Sequence, residues 1–199
     1  MTLETLNLSR AKRLKAMTHE THERLDKSIM SLDTFKSVEG YGRFVQMQYL
    51  FHRDIKALYD DAALQTLLPG LEGRRRLPLI IADLADLGLT APATDAPPVF
   101  AAGSVDAPTA LGWLYVAEGS NMGAALLRKE AAKLGLSDIH GARHLAPAEE
   151  GPAAHWRAFT AGLDAATLTP EEEARAAEGA NTAFAQVQRF AEKTMKPGA

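Results

Sequence analysis

The chain has 199 residues, enough for one domain that buries a core and still encloses a pocket. Its hydrophobic share is 46%, its charged share 24% and its formal net charge −3, values that argue against nucleic acid and against an anionic membrane surface as partners. With no cysteine it has no disulfide, thiolate metal site or cysteine nucleophile, and no apolar run reads as a signal peptide or a spanning helix, so a cytoplasmic single domain over residues 1–199 is expected.

Helical periodicity accounts for most of the sequence. Ser9 to about Met30 predicts a first helix, with Leu14, Thr18, Leu25, Ile29 and Leu32 close to one face. A second is expected from about Gly40 to Leu67, carrying Phe44, Tyr49, Phe51, Leu58 and Tyr59 and ending at Pro69-Gly70. A third spans roughly Gly73 to Leu87, with Gly88 as its C-terminal stop. Residues 90–107 read as a surface loop, and a glycine-interrupted helix follows from about Pro108 to Leu134. Residues 136–151 look irregular, and a further helix runs from about Ala153 to Ala165. The last helix begins at Thr169-Pro170-Glu171-Glu172, where threonine suits the N-cap and proline the first position, and continues to about Met195. The fold class is therefore an all-α bundle.

Two segments stand out. In Tyr115 to Lys129, Gly119 and Gly123 lie four residues apart on one helix face with Ser120 beside them. Each interior glycine costs a helix roughly 1 kcal/mol relative to alanine, so the pair implies that backbone comes close to something flat or bulky. In the first helix, His22 falls about 60° from the centre of the apolar stripe at Leu25 and His19 about 120°, so His22 borders the buried face. It fits either a packing residue or a ligand. Lys15 stands two turns earlier on nearly the same line. Arg10, Lys12 and Arg13 crowd positive charge at a helix start, where the macrodipole disfavours it; either an anion docks there or the face is merely solvated. A neutral histidine beside basic residues suits haem, whose iron takes imidazole and whose propionates take lysine or arginine.

Other chemistries fit less well. No Glu has a His three residues on, as di-iron bundles require. His140 and His144 have an i, i+4 spacing, but Gly141 points to a loop and leaves zinc a minor reading. His52 and His155 read as surface or packing residues, and Trp113, Trp156 and Phe159 as core packing. Ser120 lacks the Gly-x-Ser-x-Gly frame of a nucleophile elbow.

Taken together, Thr18-x-x-x-His22-x-x-Leu25, Gln48-Tyr49-Leu50-Phe51, Leu111-Gly112-Trp113-Leu114-Tyr115, Gly119-Ser120-Asn121-Met122-Gly123-Ala124-Ala125, Gly141-Ala142-Arg143-His144-Leu145 and Asn181-Thr182-Ala183-Phe184 resemble the haem oxygenase family, specifically its small bacterial biliverdin-producing branch. The resemblance spans nearly the whole chain. It implies a bundle in which haem lies between the first (proximal) helix and the glycine-interrupted distal helix. The implied reaction uses dioxygen, with electrons from a separate reductase or ferredoxin, to cleave haem, at once substrate and cofactor, into biliverdin, carbon monoxide and ferrous iron by way of a ferric hydroperoxide. By the same resemblance His22 is the proximal ligand, Gly119, Ser120 and Gly123 form the distal wall, and Asn121 lies near a distal water network. Phe184 lines the pocket, while Lys15 and Tyr115 face the propionates and so favour cleavage at the α edge. A monomer is expected. A haem carrier or sensor using the same pocket without turnover is the alternative, and a non-haem role for the same architecture is disfavoured by the His22 and glycine pairing.

Overall fold

The computed structural model describes residues 8–31 and 34–195, so Leu32, expected on the apolar stripe of the first helix, lies outside the described residues. Helix α1 runs Arg10–Ser31, with Leu14, Thr18 and Leu25 buried on the face that the periodicity marks. The charge at its start is answered from within. Arg10 donates to the carbonyls of Leu163 and Ala166, and Arg10 and Arg13 both reach the carboxylate of Glu173, at 2.8 and 2.7 Å. Partial burial pushes that carboxyl up, but the two arginines outweigh it and hold it below its usual range. The anion at the basic helix start is the protein's own Glu173.

The expected second helix is in fact three. α2 spans Val38–Asp54 with Ser37 as its N-cap, α3 Lys56–Asp60 and α4 Ala62–Leu67. The chain leaves helical geometry at Asp61, whose side chain caps the next helix by accepting from the Leu64 N–H at 2.9 Å. Leu58, Tyr59 and Leu64 stay buried across the breaks, so the apolar pattern gives no sign of them. The segment expected to open a helix at Gly73 forms a short 3₁₀ turn, Leu71–Arg74, and α5 occupies only Leu77–Asp86. Gly88 ends it at φ +67° as expected, and 90–106 is loop.

α6 (Ala107–Lys133) is continuous through its glycines, with Asp106 capping its start. After a second 3₁₀ turn, Arg143–Leu145, come α7 (Pro152–Ala165) and α8 (Pro170–Thr194). α8 opens on the full Thr169–Glu172 capping box. It packs along α1, α2 and α6, so the first and distal helices share it as a common support. Among the described residues there is no β-strand, and no helix is long and apolar enough to cross a membrane.

The α6–α8 contact is a backbone contact. A Cβ on Gly112 would run into the carbonyl of Ala176, and one on Gly179 into that of Thr109. Both glycines are buried, and Trp113 beside the crossing stacks on Phe51 at 5.9 Å with Phe100 against its edge. Gly112→Ala is expected to lower the unfolding free energy by about 3 kcal/mol, the upper end of overpacking costs, as read by urea denaturation. An unchanged midpoint and slope would show that the crossing is looser than this geometry.

Candidate active site

α1 places His22 at the rim of the bundle, its side chain 56% exposed. Its Nδ1 lies 3.2 Å from Asp26 Oδ2, one turn further along, which leaves Nε2 as the nitrogen free to bind a metal. The edge of the ring meets Phe184 on α8 at a centroid distance of 5.6 Å, nearly perpendicular. The exposure of His22 is greater than a stripe-edge packing residue needs. Phe184 is buried and fixes the ring from below.

Tyr115 on α6 is buried and hydrogen-bonded with Thr18 on α1. Burial is the larger influence on its phenol and pushes it up, so it stays neutral. Thr18 is itself tied by its hydroxyl to the carbonyl of Leu14 at 2.8 Å. It lies one turn from both Lys15 and His22, so the Tyr115–Thr18 contact brings Tyr115 to the edge of α1 where exposed Lys15 stands.

Two turns of α6 lack the side chains that the protein's own packing would accept. A Cβ at Gly119 would make an ordinary 3.7 Å contact with the Trp156 ring, and one at Gly123 would meet nothing within 4 Å. Neither glycine is required by a neighbouring residue, unlike Gly112 and Gly179. The face has room for a flat ligand, and a histidine-ligating, propionate-bearing macrocycle fits the residue types around it.

Beside the glycine face is a 40 Å³ cavity lined by Gln48, His52, Arg76, Ser120, Asn121 and His144, among others. Ser120 turns its hydroxyl back onto the Ala117 carbonyl at 2.7 Å, so it contributes less to this space than Asn121. His52 is fully enclosed, and burial, with the charges of His144 and Arg76, drives its imidazole down to about 3, leaving it neutral. His144 gives Nδ1 to Asp83 at 2.7 Å while its buried Nε2 has no partner. Arg76 is held by the carbonyls of His144 and Ala146 at 3.3 and 3.0 Å. Such a lining of a guanidinium, imidazole nitrogens, amides and a hydroxyl suits a small hydrogen-bonded water cluster.

Gln48, His52, Arg76 and His144 come from α2, the start of α5 and the second 3₁₀ turn, so no spacing in the sequence announces them as one group. His52 in particular is a cavity residue rather than surface. The structure does not bring His140 and His144 together as a zinc pair, since the unpartnered Nε2 of His144 is buried while His140 is 58% exposed beside Asp86. Among the described residues no group of three His, Asp or Glu side chains is arranged to hold a metal ion.

The family model described as Heme oxygenase matches residues 8–193. Heme oxygenase PigA of Pseudomonas aeruginosa is 45% identical over 185 residues, covering 93% of this chain and 92% of that protein. The solved structure of the NO- and CO-bound heme oxygenase from Neisseria meningitidis is 43% identical, covers 96% of both chains and superposes with a TM-score of 0.88. With His22 and the bare glycine face set on one helical frame, this chain belongs to the haem oxygenase family and is an enzyme of that class.

Proposed function

We propose that the protein opens haem at its α meso carbon to give biliverdin, carbon monoxide and ferrous iron, working as a monomer supplied with electrons by a separate reductase or ferredoxin. The observation that supports this best is the glycine face of α6, where neither Gly119 nor Gly123 is needed by the protein's own packing. Haem, the substrate, brings the iron that activates dioxygen; the chain supplies the geometry and the protons.

His22 would hold the iron through Nε2. Asp26 keeps Nδ1 engaged and the ring oriented, and Phe184 limits its rotation. A neutral imidazole donates less electron density than a thiolate, which suits oxidation of the ring rather than cleavage of the O–O bond alone. On the other side, residues 119–123 offer backbone where a bulky side chain would hold the substrate away. Asn121, Gln48, His52, Arg76 and His144 line the space from which ordered water can deliver protons. Arg76 supplies a fixed positive charge, and His52, kept neutral, accepts or donates without adding another. Exposed Lys15 and buried Tyr115, which meets Thr18, lie near one edge of α1, where pairing with the propionates would fix the rotation of the macrocycle and hence the meso position presented.

His22→Ala is expected to remove the histidine-type Soret band of the hemin complex and reduce turnover to background. An unchanged spectrum and rate would sink the ligand assignment. Given a reductant and oxygen, the unmodified complex should develop bilin absorbance within one turnover, whereas ferrous-oxy haem that persists would make the protein a carrier. Lys15→Asn should change the ratio of biliverdin isomers separated by chromatography, and identical isomers would exclude Lys15 as an anchor. Gly123→Ala should leave the ligand-free protein as stable or up to ~1 kcal/mol more stable, since alanine is the better helix former and the site has room. The same variant should bind hemin more weakly, and unaltered hemin titration would show that the substrate does not approach this face.

A further inference from the structure

Glu118 is the residue immediately before the glycine segment, and its side chain is 1% exposed. It is held by three other parts of the fold. Tyr59 on α3 donates to Oε1 at 3.1 Å, and Arg74 of the first 3₁₀ turn donates to Oε2 at 2.9 Å. His155 on α7 sets Nε2 3.6 Å from Oε2. Arg74 also donates to the His155 carbonyl at 3.0 Å, and His155 Nδ1 meets Glu150 at 2.7 Å, so the partners are tied to one another. Tyr59 and Arg74 are themselves buried. A bare carboxylate of this burial is costly, and only a nearly complete set of donors makes it tolerable.

The position of this cluster along α6 is what gives it meaning. From Ala110 to Glu118 every residue of the helix is buried. From Gly119 to Glu130 none is, and burial returns only at Ala131. The back of that second stretch meets the core through the partly buried side chains of Ala124 and Leu127, with open space beside them. Asn121, Ala124, Ala125 and Arg128 border a 240 Å³ cavity shared with His155, and Asn121 and Ala124 also border the 40 Å³ one. Glu118 is thus the last fully buried residue before a span that sets two glycines on one face and borders two cavities on another.

We infer that Glu118, clamped by Tyr59 and Arg74, is a positioning residue that fixes the rotation and height of residues 119–127 and so sets how the glycine face meets the substrate. The inference rests on the haem reading above for its purpose, but the clamp is a property of the chain alone. Removing it should let the glycine span open locally while the buried half of α6 stays closed, because Gly112 and the α8 crossing hold that half independently.

Hydrogen exchange on the full ligand-free chain tests this. In Glu118→Gln, which keeps the volume but removes the charge and one of the two acceptor oxygens, amides 119–127 should exchange at least about tenfold faster while amides 110–117 change far less. Tyr59→Phe removes one donor and keeps the ring, so it serves as the milder variant should Glu118→Gln fail to fold; a smaller change confined to the same segment is expected. In the carbon-monoxide complex of the hemin-loaded variants, the C–O stretch should shift or split relative to the unmodified protein. Unchanged protection of 119–127 in the folded variants overturns the inference, as does a loss shared equally by 110–117, which would mark a merely structural residue. Failure of the unmodified chain to bind hemin would overturn the haem reading and leave the exchange result to judge the clamp by itself.

Discussion

Everything at the site depends on one close approach, the crossing of α6 over α8 at Gly112 and Gly179. There the two backbones touch without intervening side chains, so the relative height of the helices is fixed by hard contact rather than by compliant packing. α8 also carries Phe184, which meets His22 on α1. A change in the α6–α8 spacing would therefore alter the distance between His22 and the glycine face at once. On the reading proposed above, the substrate lies between α1 and α6, and α8 sets the width of that gap.

The helix α6 uses glycine in two physically different ways. At Gly112 a neighbouring carbonyl forbids a Cβ, and the residue belongs to the core. At Gly123 nothing in the protein forbids one, and the helix accepts the weaker propensity of glycine for a reason outside its own fold. The first kind stabilises the molecule. The second gives up a little stability, and on the haem reading it does so where the substrate would lie close to backbone, as functional sites commonly do.

Much of this was legible in the sequence, and the part that was not has a common cause. The 3.6-residue period marks the buried face of α1, and the Thr169–Glu172 capping signature marks the start of α8, because both depend on residues within one helix. Gly119 and Gly123 signal themselves as an oddity of local propensity. By contrast, the break at Asp61 rests on an aspartate preferring to cap a new turn while the apolar stripe runs on unchanged. Arg10 and Arg13 look like an exposed basic start until α8 brings Glu173 to them from 160 or more residues away. His52, Arg76 and His144 face one cavity only after α2, α5 and the second 3₁₀ turn have assembled, and each alone has an ordinary packing or surface interpretation. Charge and polarity that are satisfied across long sequence distances leave no periodic trace.

Why the helix should be held behind its glycines by ions rather than by apolar contact follows from specificity. A stripe of leucines would stabilise α6 at least as well, since a buried ion pair often gains little over a hydrophobic substitute of equal volume. Leucines, however, tolerate small rotations and slides at modest cost, whereas a carboxylate that must meet a phenol and a guanidinium at 3.1 and 2.9 Å accepts essentially one orientation. Gly119 and Gly123 have no side chains to provide that discrimination, and on the haem reading proposed above their bareness is what admits a flat molecule. The directional contacts must then lie on the opposite side, one residue ahead of the first glycine of the face, and Glu118 stands there. Bare backbone in front and a buried ionic clamp behind are two halves of one constraint: a helix can offer its main chain to a ligand only if something other than the ligand decides where that main chain sits.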